Sequence, residues 1–225
     1  MSGEEDETIT TGSGVTVDAS DATRPLRGDS PGPLTPLRRE HVLAGTRCRL
    51  IPFKEAHISE RYIGWLNDPA VNQFLEVRWI HQTYATACTF VRSFYGKAEK
   101  YIWGIYVHQD PGPIGTATLY DINRHHDVGE FGLLVGERAY WGTGVSTEVI
   151  DLIAQCAFET LGLRRLAGGS YTTNVGMNFA FRRAGFTREG TVRKAYVVRP
   201  GVYVDGYRWG LLAEEWRVFR PHHGS

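Results

Sequence analysis

The sequence is poor in cysteine, in net charge and in long apolar runs, and each shortage excludes a class of protein. Its three cysteines, Cys48, Cys88 and Cys156, are widely spaced and form no Cys-x-x-Cys pair, which argues against a disulfide framework or a zinc site. Basic and acidic residues balance at 25 each, so the bulk cationic field of many proteins that bind nucleic acid or anionic membranes is missing. The apolar run at residues 101–107 is far below the roughly 20 residues that span a bilayer. We therefore expect no metal, no nucleic-acid partner and no membrane segment.

The first forty residues differ from the rest of the chain. They contain no Phe, Trp or Tyr, 19 of them are Gly, Pro, Ser or Thr, and they carry eight acidic against four basic residues. Such a segment buries too little apolar surface to offset the entropy of ordering it. The start MSGEEDETIT is acidic and polar where a signal peptide would be basic and apolar. We predict a disordered acidic tail over residues 1–40, one domain over residues 41–225 and a cytoplasmic location.

The hydrophobic pattern of the remaining chain predicts a single α/β domain with a mixed (α+β) sheet, in the order β-α-α-β-β-β-α-β-α-β-β. The first helix should carry Ile58, Tyr62 and Trp65 on one face and end at Asn67, and Thr83 should cap the second. Helices are also expected after Gly144 and over residues 177–184. The expected strands are 47–52, 101–107, 114–121, 128–135, 164–172, 186–196 and 202–212, with a short extended piece at 74–79.

A glycine turn lies between the strand at 128–135 and the helix that follows it. Gly142-Thr143-Gly144 lets the backbone turn tightly, and the first N–H groups of a helix are unpaired and carry a partial positive charge. With the hydroxyls of Ser146 and Thr147, these groups suit a phosphate. The P-loop and dinucleotide patterns do not fit, because the required lysine and third glycine are missing. A plain structural turn is the alternative.

From about residue 46 to residue 219 the chain resembles the GNAT superfamily of acyl-CoA-dependent N-acyltransferases. The family signature, Gln or Arg, two residues, Gly, one residue, then Gly or Ala, is similar to residues 141–146, with Trp141 and Ser146 as departures. A Trp-Gly-x-Gly version looks like that of the branch with ribosomal-protein, spermidine and amino-sugar acetyltransferases. Asn174, followed by FRRAGF at 181–186, gives a second similarity.

The resemblance implies a GNAT-like fold, acetyl-CoA or another acyl-CoA as co-substrate, and no metal. It implies that the amides of the glycine turn hold the CoA pyrophosphate, and that the strand before it pairs its backbone with the pantetheine arm, which Asn174 also contacts. The cofactor-binding residues implied in this way are Leu133, Leu134, Val135, Trp141, Gly142, Thr143, Gly144, Val145, Ser146, Thr147 and Asn174.

Acyl transfer to an amine needs a proton acceptor for the amine and an exit for the thiolate. The resemblance implies Glu130 and His126 as candidate bases, and solvent suffices for an amine with a pKa near 8. The alternatives are that Glu130 pairs with an arginine and that His126 is a loop histidine bound to backbone. The usual proton donors, a tyrosine and a serine, are replaced by Phe181 and Met177. Cys156 lies on an apolar helical stripe, so we expect it in the core and not as a nucleophile.

The resemblance implies that the acceptor is a primary amine, which we expect to attack the thioester directly in a ternary complex. WLNDPAVNQFLEVR, at 65–78, resembles a segment of GNATs that modify nucleotide-linked amino sugars, which makes Asn67, Glu76 and Arg78 the candidate substrate-binding residues; capping and surface pairing are the alternative. Protein N-termini, polyamines and aminoglycosides are alternative acceptors, although a net positive domain weighs against polyamines. A non-catalytic acyl-CoA-binding module is the alternative of another class.

The aromatic hairpin at 196–209 lines a pocket or packs the sheet, and exposed strand edges are compatible with a homodimer.

Overall fold

The computed structural model describes residues 9–10, 16–17 and 41–219. The chain divides into two compact units, Met1–Leu34 and Thr35–Ser225. In the first, β1 (Ile9–Thr10) pairs antiparallel with β2 (Thr16–Val17). The rest of the tail predicted over 1–40 lies outside the described residues, so its disorder stays a prediction.

The second unit is built on one eight-stranded sheet with the order β3-β4-β5-β6-β7-β8-β10-β9. All neighbouring strands are antiparallel except β7 and β8, which are parallel. The mixed sheet predicted from the sequence is therefore confirmed. The strands are β3 (Leu43–Ala44), β4 (Cys48–Pro52), β5 (Tyr101–Val107), β6 (Gly115–Asn123), β7 (Val128–Val135), β8 (Arg165–Tyr171), β9 (Thr187–Arg199) and β10 (Val202–Leu212).

Helices cover both faces of this sheet. The predicted helices are present, and two short ones are added, α2 after the first helix and α6 at the end of the described chain. The first three helices pack their apolar side chains onto the face of β7 that carries Leu134, whereas Phe181 of α5 packs on Phe131, which points to the other face. The helices are α1 (Glu60–Asn67), α2 (Pro69–Asn72), α3 (Tyr84–Arg92), α4 (Val145–Gln155), α5 (Val175–Arg183) and α6 (Ala213–Phe219).

Capping residues account for several helix boundaries. Thr83 caps α3 as predicted, its hydroxyl accepting from the Thr86 amide, and Gly185 follows α5 with φ +85°. Asp68 ends α1 and also caps α2 through the Ala70 amide at 2.8 Å, so the expected stop signal starts a second helix as well. The extended piece predicted at 74–79 is wrong in part, because Glu76–Trp79 forms a 3-10 turn.

A partly buried polar network joins α1 to the end of β7. The Glu137 carboxylate accepts from Trp65 Nε1 at 2.9 Å and from Arg61 Nε at 2.6 Å, and Arg61 also pairs with Asp110 at 2.7 Å. Hydrogen bonds from Arg61 hold the pKa of both carboxyl groups below their ordinary values. Gly136 lies against the Trp65 indole, where an added Cβ would be 2.0 Å from Cδ2.

Gly136→Ala is expected to lower the free energy of unfolding by about 1–3 kcal/mol, because the methyl group overpacks the Trp65 contact. Urea denaturation measures the change. Gly64→Ala is the matched control: Gly64 lies inside α1 with open space around its Cβ position, so alanine should stabilise the protein by about 0.5–1 kcal/mol. Equal stabilities of the two variants would contradict the packing argument.

In the described part of the chain, no helix is both long and apolar enough to cross a membrane. The same residues contain no group of three or more His, Cys, Asp or Glu side chains arranged to hold a metal ion.

Candidate active site

β7 and β8 run parallel for three residue pairs and then separate. The last pair joins Glu130 to Ala167, after which β7 continues to Val135 and β8 to Tyr171 without pairing to each other. The edge of β7 that faces β8 therefore has unpaired backbone groups beyond Glu130. An extended molecule can bind such an edge through main-chain hydrogen bonds. Leu133, Leu134 and Val135, the residues predicted to pair with pantetheine, lie on this part of β7.

The glycine turn lies at the far end of β7, immediately before α4. Gly142 and Gly144 have φ of +74° and +90°, a left-handed conformation that favours glycine, and open space surrounds the Cβ position of each. Gly144 caps α4 and offers no side chain to the first helical N–H groups, those of Val145, Ser146 and Thr147. These amides and the positive end of the helix dipole are thus available to an anion.

Trp141 anchors the glycine turn to β7. Its indole Nε1 donates to the Val135 carbonyl at 2.8 Å, while the ring is 43% exposed and Arg138 lies over it at 5.7 Å. The Thr143 hydroxyl donates to the Tyr140 carbonyl at 2.8 Å. The tryptophan that departs from the family signature therefore holds the loop in place by a backbone hydrogen bond.

Arg47 is a basic residue beside the glycine turn that the sequence reasoning did not single out. The Glu148 carboxylate, on the first turn of α4, accepts from the backbone amides of Thr46 and Arg47 and so fixes the β3–β4 turn against the helix. Arg47 Nη1 then lies 3.5 Å from the Thr143 carbonyl. No local pattern marks this contact, since Arg47 and Glu148 are 101 positions apart.

Asn174 lies at the start of α5, shortly after β8 ends. Its Oδ1 accepts from the Met177 amide at 3.1 Å, so the residue caps the helix, and its Nδ2 makes no hydrogen bond within the described chain. That amide group stays available as a donor. Asn178, one turn further on, is buried and ties the helix to β8 through Ser170 Oγ at 2.6 Å and the Tyr171 carbonyl at 3.1 Å.

Glu130 stands at the point where β7 and β8 separate. Its side chain is half-buried, faces the side of the sheet that bears α1 to α3, and makes no hydrogen bond or ion pair with any described residue. Tyr120 of β6 is its register partner. A carboxylate without a structural partner at this position can accept a proton.

His126 is not brought next to Glu130. It lies in the exposed turn before β7, where its amide donates to Asn123 Oδ1 at 3.2 Å and its carbonyl accepts from Arg164 Nε at 2.7 Å. The structure thus gives its backbone a role in the turn, and its imidazole makes no hydrogen bond or ion pair with the described residues.

Phe181 and Met177 offer no proton to a leaving group. The Phe181 ring is only 1% exposed and stacks on Trp209 with centroids 5.2 Å apart. It also packs on Phe131, and its Cζ would lie 2.7 Å from a Cβ on Gly168, the first residue of β8 beyond the paired segment. The ring therefore fills the space beneath the opening between β7 and β8.

Cysteine chemistry does not contribute to the site. Cys48, Cys88 and Cys156 are all buried and free. Burial raises the pKa of Cys156 to about 12, and burial together with the charge of Glu148 raises the pKa of Cys48 to about 12. Because the thiolate is the nucleophile, burial disfavours the reactive form of Cys48 and Cys156 at neutral pH. The expected core position of Cys156 is confirmed.

Glu76 and Arg78 meet at Tyr171, at the end of β8. Arg78 donates to the Tyr171 hydroxyl at 3.1 Å and to the carbonyls of Gln73 and Val197, while that hydroxyl donates to Glu76 Oε1 at 3.2 Å. Arg78 thus joins the 3-10 turn to β8 and β9. The cleft beside it, of about 900 Å³, is lined by Asn67, Phe74, Trp79, Tyr171, Arg199 and Val202, among others.

Asn67 lines the same cleft but is engaged by backbone. Its Oδ1 accepts from the Gln82 amide and its Nδ2 donates to the Gln82 carbonyl, both at 2.8 Å, with a further bond to Ile63. Of the aromatic hairpin residues, Trp209 is buried in the core, Tyr203 is exposed and Tyr196 stacks on Tyr171.

Comparison with known proteins agrees with this geometry. Residues 47–187 match the family described as the acetyltransferase (GNAT) domain. The chain is 34% identical over 109 residues to the probable N-acetyltransferase YjcK of Bacillus subtilis (strain 168), covering 48% of this chain and 60% of that protein. It is 30% identical over 97 residues to the FsC-acetyl coenzyme A-N(2)-transacetylase of Aspergillus fumigatus, covering 42% of this chain and 41% of that protein. The chain thus spans less than two thirds of the length of these two relatives.

Solved structures share the fold at low sequence identity. The spermidine N-acetyltransferase from Vibrio cholerae in complex with CoA and spermine has a TM-score of 0.68 at 16% identity, over 76% of this chain and 98% of that one. The ribosomal L7/L12 alpha-N-protein acetyltransferase RimL in complex with CoA gives the same four values. Because the family match covers more than half of the chain, the protein belongs to the GNAT acetyltransferase family.

Proposed function

We propose that the chain transfers an acetyl or other acyl group from acyl-CoA to a primary amine by direct attack in a ternary complex. The observation that carries this proposal is the gap between β7 and β8. The Glu130 carboxylate, which has no hydrogen-bond partner among the described residues, lies where the strands separate, and the start of α4, which receives no side-chain capping bond, follows the far end of β7. The names of the relatives, which are N-acetyltransferases or a transacetylase, support the reaction class.

The residues around the gap fit an acyl-CoA. The amides of residues 142–147 would hold the pyrophosphate. The backbone edge of residues 133–135 that does not pair with β8 would pair with the pantetheine arm, although the Val135 carbonyl already accepts from Trp141 Nε1. Asn174 Nδ2 would donate to the same arm, and the Arg47 guanidinium lies close enough to the turn to meet a phosphate. Two structural neighbours that were solved in complex with CoA support this assignment.

In the proposed reaction the amine nitrogen attacks the thioester carbon, the new C–N bond forms and the C–S bond breaks. Glu130 takes the surplus proton from the nitrogen, and the thiolate is released as free CoA thiol once it gains a proton. His126 remains a second candidate base by resemblance, although Glu130 lies nearer the point of strand separation.

We propose an amino sugar or a nucleotide-linked amino sugar as the acceptor. The cleft beside Tyr171 has aromatic walls in Phe74 and Trp79 and basic residues in Arg78 and Arg199. This combination suits a sugar ring with an attached phosphate, and it lacks the acidic character that a polyamine needs. Because Arg78 is held by Tyr171 and two carbonyls, its part is to shape the cleft and keep it positive.

Thiol release tests the proposal. The protein is incubated with acetyl-CoA or longer acyl-CoA thioesters and with amino sugars, nucleotide amino sugars, aminoglycosides, N-terminal peptides or polyamines. Amine-dependent thiol with an amino sugar is the expected result, and fastest release with another class would reassign the acceptor. Binding of acyl-CoA without any thiol release would favour a non-catalytic module. The cytoplasmic location and the homodimer belong to the same proposal, and sedimentation tests the dimer.

Phe181→Tyr is expected to raise turnover by less than about tenfold, roughly 1.4 kcal/mol in the barrier. A thiol pKa near 8.5 makes the thiolate a tolerable leaving group, and the aromatic cluster leaves little room at Gly168 for a further oxygen. Steady-state rates of thiol release measure the effect. A larger gain would show that the reaction is limited by the missing hydroxyl.

A further inference from the structure

Tyr196 of β9 lies flat on the sheet over two glycines. A Cβ on Gly206 of β10 would lie 2.7 Å from Tyr196 Cε2, and a Cβ on Gly169 of β8 would lie 3.3 Å from Tyr196 Oη. A side chain at Gly206 would displace the ring. Because neither glycine has a side chain, the Tyr196 ring packs flat against β10 and β8, and its hydroxyl extends from β9 across β10 to β8.

The packing of Tyr196 on the two glycines places its hydroxyl over β8, beside the gap between β7 and β8. Ala167 is the last residue of β8 that pairs with β7, opposite Glu130, and Gly169 follows two residues later. Because side chains alternate along a strand, the Cβ position of Gly169 faces the same side as Ala167 and Glu130. Tyr196 Oη thus lies over β8 where the strands have just separated, on the face that carries the proposed base.

The Tyr196 hydroxyl is not committed to a structural role. It has no hydrogen-bond partner within the described residues, and its ring stacks on Tyr171 with centroids 3.8 Å apart. The Tyr171 hydroxyl, in contrast, is occupied by Arg78 and Glu76. The Tyr171 hydroxyl therefore helps to hold the cleft together, while the Tyr196 hydroxyl is available to donate its proton.

The surroundings of Tyr196 keep it in the neutral form. Burial raises the pKa of this phenol, Arg208 opposes the rise, and the carboxylates of Glu76 and Glu130 add to it. A free phenol already has a pKa of about 10, so Tyr196 carries its proton at neutral pH. It is in the state that a proton donor requires.

We propose that Tyr196 donates the proton to the CoA sulfur as the C–S bond breaks, and so takes the role, from the opposite face of the sheet, of the tyrosine that Phe181 replaces. The inference rests on the proposed acyl transfer. The phenol O–H bond breaks and an S–H bond forms, while Glu130 receives one proton from the amine. That proton returns through solvent to the phenolate, so the enzyme ends each turnover in its starting state.

Tyr120 is the other tyrosine beside the gap. It pairs in register with Glu130, and its Cε1 would lie 3.5 Å from a Cβ on Gly132 of β7. A ring carbon, not the hydroxyl, thus approaches β7. Burial, with the charges of Glu130 and Asp121, raises the pKa of Tyr120 to about 12. The experiment must separate these two phenols.

The test compares Tyr196→Phe, Tyr120→Phe and the control Tyr203→Phe. Tyr203 is 53% exposed on the same hairpin and lies outside the proposed machinery. Each protein is given acetyl-CoA or its selenium analogue, with the panel amine that gives the wild-type protein its fastest release. A selenol is more acidic than a thiol and leaves without needing a proton. Thermal unfolding checks that each variant is folded.

Tyr196→Phe is expected to slow transfer from acetyl-CoA about 10- to 100-fold. This is at or below the lower end of general-acid effects, because a thiolate leaves readily. KM for acetyl-CoA should stay unchanged, and transfer from the selenoester should be close to that of the wild-type protein. Rates like those of Tyr203→Phe, equal losses with both donors, or a selective loss in Tyr120→Phe would overturn the assignment. Absence of turnover in the wild-type protein would instead count against acyl transfer itself.

Discussion

Glu130→Gln is expected to lower turnover by about 100-fold at neutral pH, the loss typical of a missing general base. Glutamine keeps the size of the side chain and removes its ability to accept a proton. Glu130 makes no hydrogen bond or ion pair with the described residues, so the substitution breaks no structural contact and the protein should stay folded. The rate of thiol release, followed between pH 6 and pH 10, measures the effect.

The shape of this pH profile also reports on the acceptor. An amine with a pKa of about 8 loses its proton to solvent as the pH rises, so the deficit of Glu130→Gln should vanish near pH 9. For a lysine-like amine with a pKa of about 10.4 the deficit should persist. His126→Asn tests the second candidate base, in the exposed turn before β7, and with Glu130 as the base it should turn over like the wild-type protein. A large loss in His126→Asn with a normal Glu130→Gln would assign the base to His126.

Gly144→Ala is expected to raise KM for acetyl-CoA at least tenfold with a smaller change in kcat. Gly144 has φ +90°, and an L-residue in the left-handed region costs about 1–2 kcal/mol. The turn relieves this cost by moving, which misaligns the amides at the start of α4. The new methyl group also points into the open space that we assign to the pyrophosphate. Initial rates at varied acetyl-CoA concentration measure the change.

Gly96→Ala is the matched control for backbone strain. Gly96 has φ +66°, open space at its Cβ position and a place in the loop between α3 and β5. Alanine there should cost similar stability and leave KM for acetyl-CoA unchanged. If both variants raised KM equally, the effect of Gly144→Ala would be a loss of folded protein and not of a binding turn.

The features predicted best from the sequence are those made by neighbouring residues. β7, the glycine turn and α4 follow one another in the chain. The alternation of apolar residues along β7, the spacing of the two glycines and the helical repeat of apolar residues in α4 therefore predicted the three elements together. Asn174 was named only through the family resemblance, and its contact with pantetheine stays a prediction; its capping bond to Met177, which is local, was not predicted. The three elements depend on interactions between residues that are close in the sequence, so the sequence alone is enough to predict them.

The acceptor cleft depends on contacts between distant residues, and the sequence predicted it less well. Arg78 lies 93 positions from Tyr171, and it bonds to Val197 across 119 positions. The segment before Arg78 was expected to be extended and forms a 3-10 turn that brings Glu76 and Trp79 together. Asn67 was a candidate by the resemblance of its segment, but the bonds of its amide to Gln82 could not be predicted from the sequence.

The short contact between β7 and β8 also has a thermodynamic consequence. These strands share three residue pairs, whereas β6 and β7, and β8 and β10, share seven each. The sheet therefore consists of two halves, one ending at β7 and the other beginning at β8, that are joined by only three residue pairs. A ligand that forms hydrogen bonds with both halves would hold them together. By linkage, such a ligand at a hundredfold excess over its Kd adds about 2.7 kcal/mol to the free energy of unfolding. Melting temperature thus becomes an assay for acyl-CoA binding that needs neither turnover nor a known amine.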